Sequence, residues 1–480
     1  MKKNLLLYLI VFMSISAYAQ KKPKINNNNK NAAIATIENR LDELTKLSDS
    51  IWSYEEVAFK EQRSSKALAD YAEEQGFKVS RGVADIPTAF TAEYGSGQPV
   101  IGILGEFDAL PGLSQKTVPT KDPLNPGGAG HGCGHNLFGV ASMGAATAIK
   151  ELIAQGKIKG TVRFYGTPAE EKFFGKLWLV REGLFEDVDI VMDWHPGAET
   201  KAEVQAGLAL VDFLVEYTGQ AAHASADPWN GRSASDALEL YTTGINYYRE
   251  HVKPTVRMHY DIQNAGEVVN VVPDYSRIWT RVRDTKRDGV VAVWKHVEKI
   301  AEGAALMADV DYKITLISGI HEVLVNRTGA AALQKNLESL GSIDYTEEEQ
   351  EFARKIQAAT GKEQVGAVSE IEPLEETLEH PMGGSTDVGD VSYVVPTVRL
   401  RATTAPKGTP WHSWAVVACS GMSIGHKGME YASKAMAMTM IDFFEDQKLR
   451  KEMKTEFEER KGDYIYKGMV PEGPPPTTME

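Results

Sequence analysis

The ten residues Gly127, Gly128, Ala129, Gly130, His131, Gly132, Cys133, Gly134, His135 and Asn136 constrain this chain more than any others. Five glycines strip the segment of bulk, while three side chains that suit soft or borderline metals recur at alternate positions. Such a loop can wrap an ion closely. The Ala- and Gly-rich stretch 139–149 predicts a helix packed tightly on a sheet, with the candidate ligands at its N-terminal mouth. A glycine loop before a helix can also bind phosphate, but the Lys and Ser pattern of a phosphate loop is absent. Metal is the better reading.

Three further places carry matching chemistry. The β-rich run 162–165 is followed by Pro168 and then by Glu170 and Glu171, which puts paired carboxylates at the carboxyl end of a strand. Adjacent residues there cannot point the same way, so one can bind metal while the other faces a water as general base. Alone, the pair would read as an acidic helix start, which the helix dipole favours. His195 closes the apolar run 189–194 and is held against Pro196. His412 lies in a loop between a strand region and the helical stretch 429–444. Either histidine alone could be structural. Taken together, ligands at several strand ends converge as open α/β sheets concentrate their sites.

The rest of the chain supports that architecture. Residues 34–47 and 64–75 carry helical spacing, while 91–94, 100–104 and 162–165 are short β-rich runs bounded by Gly and Pro. This order predicts an α/β sheet with helices on both faces, resuming after Thr328 with a helix at 330–340 and a strand at 397–400. Between these blocks, 208–217 alternates as a strand, 234–249 and 291–305 are helical, and 267–272 with 276–282 reads as paired strands. A small antiparallel sheet carrying two helices is the expectation, inserted at 207–321 within a domain made of 32–206 and 322–462. The acidic stretch 342–379 reads as a helical surface excursion, and 463–480, with Pro474 to Pro476, as a surface-pinned or disordered tail.

The N-terminus begins Met-Lys-Lys, continues with an apolar run over 5–17 and reaches Ala17-Tyr18-Ala19, the order of a cleaved signal peptide (1–19). The run is too short to span a bilayer permanently, so the expected protein is exported, periplasmic or extracellular, without a permanent membrane span. Asn-rich residues 20–31 read as a polar linker, with folding from about Ala32. A net charge of −14 argues against nucleic acid as a partner. Cys133 and Cys419 are the only cysteines, and the ligand surroundings of Cys133 argue against joining them.

On residues 130–139, Glu170-Glu171, 193–196, 384–391 and 409–426, the chain resembles the aminoacylase and carboxypeptidase metallopeptidase family, in its branch of amidohydrolases acting on N-acyl amino acids. The resemblance runs from about Ala32 to Glu445. It implies a zinc-exopeptidase-like catalytic domain, with a central mixed sheet flanked by helices, and an inserted α+β lid and dimerisation domain. It also implies two divalent ions held by Cys133, His135, Glu171, His195 and His412, with the thiolate bridging or near both and Glu170 activating the water. Zinc or manganese is expected, and cobalt or nickel would also suit the ligands. Asp108 matches an orienting aspartate. Relatives elsewhere in the superfamily have a metal histidine two positions before it, where this chain has Glu106, so His131 is the candidate additional ligand. His223 matches a histidine that stabilises the oxyanion, often across a dimer, and Asn270 a substrate contact. Read without the resemblance, these two are a helix-start histidine and a turn asparagine.

The expected activity is hydrolysis of a C–N amide in a small N-acyl or N-aroyl amino acid, of the p-aminobenzoyl-glutamate kind, or in a dipeptide. A homodimer through the lid is expected, and a heteromeric partner subunit is a further reading. The alternative from another class is a non-catalytic periplasmic binding protein, against which the intact Glu170 and ligand set speak.

Overall fold

The computed structural model describes residues 25–478, so the expected signal peptide and the first part of the linker, up to residue 24, lie outside the described residues. Three helices open the fold: α1 (Asn28–Asn39), α2 (Leu41–Tyr54) and α3 (Gln62–Glu74). Strands β1 (Lys78–Arg81), β2 (Phe90–Ser96) and β3 (Val100–Gly105) follow, then α4 (His135–Ala154), β4 (Gly160–Gly166), α5 (Lys176–Arg181), β5 (Ile190–Gly197) and β6 (Lys201–Glu203). A second unit comprises β7 (Ala209–Thr218), α6 (Ala234–Tyr248), β8 (Arg257–Asn264), β9 (Tyr275–Asp284), α7 (Arg287–Ala308) and β10 (Asp311–Ile320). The chain then returns through α8 (Arg327–Leu340), α9 (Glu347–Ala359), α10 (Val388–Ser392), β11 (Thr397–Thr403), α11 (Trp414–Ser420), α12 (Ser423–Glu445) and α13 (Gln447–Lys461).

The first sheet has seven strands in the order β1-β2-β4-β3-β5-β11-β6. Its centre is parallel, through β4–β3, β3–β5 and β5–β11, and its margins are antiparallel. Apolar residues on both faces of the central strands force helices onto both sides. On one side α4 and α12 pack with α1, α2 and α8 around Phe138, Val162, Ile190 and Met436. By length and composition α4 could cross a membrane, yet most of it is buried in this core. On the other side Phe59, Tyr165, Phe174, Trp178 and Val391 join Leu210 and Ile320, which seats the second unit on the first.

The second sheet, ordered β10-β7-β9-β8, is wholly antiparallel and carries α6 and α7 on one face. Alternation along β9 buries Ser276, Ile278, Thr280 and Val282 against those helices and turns Arg277, Trp279, Arg281 and Arg283 to the opposite face.

Several local expectations change. Residues 34–47 form not one helix but the end of α1 and the start of α2, because α1 packs on α12 and α4 while α2 turns toward α3. Folding starts at Asn28 rather than Ala32: the Asn27 side chain accepts from the amides of Asn29 (2.8 Å) and Lys30 (3.0 Å), and Lys30 pairs with Asp442 at 2.6 Å. Residues 267–272 are not a strand. Gly266, at φ 100°, and Pro273 bracket that segment, and β8 takes the place beside β9. Within 342–379 the helix is α9, opened by a Thr346/Glu349 capping box, and its Ala353 and Ile356 are buried rather than on the surface.

Candidate metal centre

Strands β3, β4, β5 and β11 run parallel, so their carboxyl ends open on one side of the sheet, and each delivers chemistry there. β3 leads into Glu106, Phe107 and Asp108, all buried. The glycine loop follows and ends at Gly134, whose φ of 77° makes the left-handed turn that starts α4 at His135. Gly130 is also required, because a Cβ there would come within 2.5 Å of the Leu113 carbonyl oxygen. β4 opens into a turn where Ala169 (φ 62°), Phe173 (φ 78°) and Phe174 (φ 60°) take left-handed backbone, and His412 does the same at φ 55°. Such conformations cost about 1–3 kcal/mol each and persist where the surroundings over-determine them. Here they aim Glu170, Glu171 and His412.

The side chains meet in two groups that share one sulfur. Cys133, His135 and His195 offer ligand atoms within 4.8 Å of one another, and so do Cys133, Glu171 and His412. Cys133 Sγ lies 3.3 Å from His195 Nε2, and His412 Nε2 lies 3.3 Å from Glu171 Oε2. Both inner histidines are oriented through the other ring nitrogen: His135 Nδ1 meets Asp108 Oδ1 at 2.8 Å, and His195 Nδ1 meets the Pro196 carbonyl at 2.7 Å. That leaves Nε2 of each for an ion. The second oxygen of Asp108 accepts the Glu171 amide at 2.9 Å, so one carboxylate fixes the ring of one candidate ligand and the turn bearing another.

A divalent cation fits this donor set. His135 Nε2 and Glu171 Oε1 are buried without a hydrogen-bond partner. Burial pushes the Cys133 thiol upward, and the neighbouring Glu171 adds to it, so a thiolate here needs a cation. Burial, then Asp108 and Glu106 against the opposing pull of His135, raises Glu171 to about 7. Glu170 is raised well above the usual carboxylate range by burial, with Glu106 and Glu171 adding repulsion. For His135 burial opposes the charged form, but the carboxylates of Glu106 and Asp108 outweigh it.

Glu106 lies two residues before Asp108 and is almost wholly buried. Its Oε2 lies 3.1 Å from His135 Nε2, while Oε1 accepts from Lys176 Nζ at 2.6 Å. Lys176 is itself wholly buried and donates to Asp387 at 2.6 Å. Glu106, His135 and Glu170 also gather within 4.8 Å. Lys176 sits between Glu106 and Asp387 and offsets part of their charge behind the candidate ligands.

His131 does not join either ligand group. Its Nε2 lies 3.1 Å from the Ile51 carbonyl, and burial lowers its pKa to about 4, so it is a neutral ring that anchors the glycine loop to α2. Its Nδ1 is buried without a hydrogen-bond partner, and neither candidate ligand group includes it. His223 and Asn270 are exposed on the second unit, held side by side by the amide of Ala224 bonding the Asn270 carbonyl at 3.0 Å, and neither lines the cleft. Both cysteines are free.

The cleft has a volume of about 560 Å³ and is walled by the ligand ends on one side and by β9 of the second unit on the other. Four arginines line it: Arg281, Arg283, Arg399 and Arg401. None of the four stands out as a site residue in the sequence, and neither do Lys176, Asp387 and Glu61. For β9 a signal exists, since Arg277, Arg281 and Arg283 alternate with apolar residues and must share a face.

The family model described as Peptidase family M20/M25/M40 matches residues 102–412. The chain is 38% identical to one subunit of the p-aminobenzoyl-glutamate hydrolase of Escherichia coli K12, across 91% of this chain and 96% of that protein. It is 31% identical to the Xaa-Arg dipeptidase of Mus musculus, across 86% of this chain and 88% of the other. Among solved structures, an aminobenzoyl-glutamate utilization protein from Klebsiella pneumoniae superposes with a TM-score of 0.61 at 16% identity, covering 86% of this chain and all (100%) of that one. A dinuclear metal binding peptidase of Bacillus subtilis superposes at 0.55 and 19% identity, covering 85% and 99%. At those identities the structures speak for the fold.

Proposed function

Because the chain belongs to peptidase family M20/M25/M40, we propose that it is a metal-dependent hydrolase of small N-acyl or N-aroyl amino acids, of the p-aminobenzoyl-glutamate kind. The observation that carries this is Cys133, shared by two ligand groups, with Glu170 beside them on the cleft wall. Cys133, His135 and His195 would hold one divalent ion and Cys133, Glu171 and His412 the other, zinc or manganese suiting that mixture of sulfur, nitrogen and oxygen. Bound there, the ions would polarise the scissile carbonyl and lower the pKa of water.

The chain's own residues do the remaining work. Glu170 takes a proton from the attacking water and returns it to the leaving nitrogen. Asp108 keeps His135 and Glu171 in place. Arg283 makes no hydrogen bond or ion pair among the described residues, and its Nε is buried without a partner, so it is free to take the carboxylate of the amino acid.

The second unit acts as a lid and dimerisation domain in this reading. His223 and Asn270 are exposed and outside their own cleft, which supports their serving the cleft of a second copy. The Escherichia coli relative is named as one subunit of its hydrolase, and another subunit of that hydrolase from the same organism is 26% identical to this chain. That relationship supports a heteromeric partner, the second reading. Export through residues 1–19 remains part of the proposal.

The test is Glu170→Gln. Two bound ions by elemental analysis, with kcat reduced by about 10²–10⁴, is the expected result. Turnover near the native rate would remove Glu170 from the role of base.

A further inference from the structure

The wall of the cleft nearest the ligands carries a pair of arginines that the reaction above leaves unused. On β11, Arg399 and Arg401 face the same way. Arg401 is paired in register with His195 on β5 and with Lys201 on β6, while Arg399 lies opposite Asp193 and Glu203. A row of cationic side chains therefore starts beside a metal-ligating histidine and runs to the edge of the sheet. Arg399, Arg401 and Lys201 all line the cleft.

Their engagement differs from that of a structural ion pair. Arg281, in the same cleft, holds its partner bidentately: Nε and Nη2 bond the two oxygens of Asp212 at 2.7 and 2.6 Å. Arg399 instead offers only Nε to Asp193, at 3.1 Å. Arg401 places only Nε near Glu203, also at 3.1 Å, and outside hydrogen-bond geometry. The Nη groups of both make no bond among the described residues and are not among the buried unpartnered atoms, so they open on the cleft. A guanidinium fork left free at the edge of an ion pair matches the two oxygens of a carboxylate. Lys201, which is already held by Glu375 at 3.1 Å, adds positive field without competing for the ligand.

We propose that Arg399 and Arg401 form a second carboxylate subsite, so that the preferred amides carry two carboxylates, one met by Arg283 on the second unit and one by this pair. The proposal rests on the amide-hydrolase reading for its reaction and on the β11 geometry for its ligand. The second carboxylate can belong to the side chain of the leaving amino acid or to the acyl group.

Two substrate pairs separate those sources: N-(4-aminobenzoyl)-glutamate against N-(4-aminobenzoyl)-glutamine, and N-(4-carboxybenzoyl)-glutamine against N-benzoyl-glutamine. Each pair differs by one carboxylate. In the native protein one pair should show a preference of about tenfold or more in kcat/KM, expressed mainly in KM. In the double variant Arg401→Gln with Glu203→Gln, which removes the arginine and its partner together, that ratio should fall toward one. Arg401→Lys should retain part of it. Ratios near one for both pairs in the native protein, or a ratio unchanged in the double variant, would overturn the subsite while leaving amide hydrolysis standing. Calorimetric binding of glutarate against its mono-amide, glutaramate, supplies a readout that needs no turnover. If no amide is cleaved at any metal loading the hydrolase reading falls, and the subsite stands or falls on whether glutarate is preferred in an Arg401-dependent way.

Discussion

Glu61 lies beneath the turn that carries the paired glutamates, and its Oε1 accepts the Ala169 amide at 2.8 Å while Thr88 donates to Oε2 at 3.1 Å. It thereby holds a residue in left-handed backbone directly before the proposed base. Burial first, and then repulsion from Asp108, raises its pKa to about 8. The folded chain therefore binds a proton at Glu61 that the unfolded chain releases near the ordinary carboxylate value of about 4.3. Between these two values the folded state holds more protons, so this contribution to stability is complete below about pH 4, is lost as pH rises and is gone above about pH 8. Chelated protein should thus lose thermal stability from pH 6 to pH 8.5, and Glu61→Gln should flatten that slope; an unchanged slope in the variant would clear Glu61. Nothing in the sequence around Glu61 announces it, because its role comes from a contact with Ala169 over a long chain separation. Glu170, Glu171 and Cys133 were legible because their neighbours set their geometry: proline after a strand, and glycine on both sides of a thiol. His131 shares the alternation of the glycine loop, but its Nε2 meets the Ile51 carbonyl and it joins neither candidate ligand group.

At the scale of elements, the proline-rich tail does more than cover surface. Tyr464 Oη meets His321 Nε2 at 2.7 Å, Tyr466 donates to Asp390 at 2.9 Å, and the Gly319 amide on β10 bonds the Met469 carbonyl at 2.7 Å. Met469 packs in the core of the second unit, and Val470 against the core shared with the first. Beyond them Arg181 bonds the Gly473 carbonyl at 2.9 Å and Lys60 that of Thr477 at 3.1 Å. The tail therefore straps the two units together where the chain passes between them. Removal of the residues after Gly462 should lower the thermal midpoint by roughly 3–8 °C, read by calorimetry, through lost burial and hydrogen bonds. A midpoint unchanged by truncation would make the strap incidental. Composition ruled out helix and central strand for this segment but could not supply its partners, which lie far away in sequence. The same limit explains 267–272, where a valine-rich run looked like a strand and became a loop because Gly266 and Pro273 bound it and the β9 edge was already taken.

On the scale of the whole molecule, alternation of strands and helices was enough to anticipate a sheet covered on both faces, and the candidate ligands read at strand ends do gather on one side of that sheet. The opposite wall of the cleft was less legible. It depends on how the β9 face of the second unit sits over the ends of β4, β5 and β11, a packing outcome that joins Leu210 and Ile320 to Tyr165 and Trp178. The cleft is thus made of two walls, a cluster of candidate ligands on the first unit and an arginine-bearing sheet on the second. The most direct test is release of p-aminobenzoate from p-aminobenzoyl-glutamate by the purified chain, stripped of metal and titrated with zinc or manganese. Activity absent from the stripped protein and rising to a plateau at about two ions per chain is the predicted result. Activity that survives complete chelation, or saturates with no metal bound at the Cys133 cluster, would contradict it.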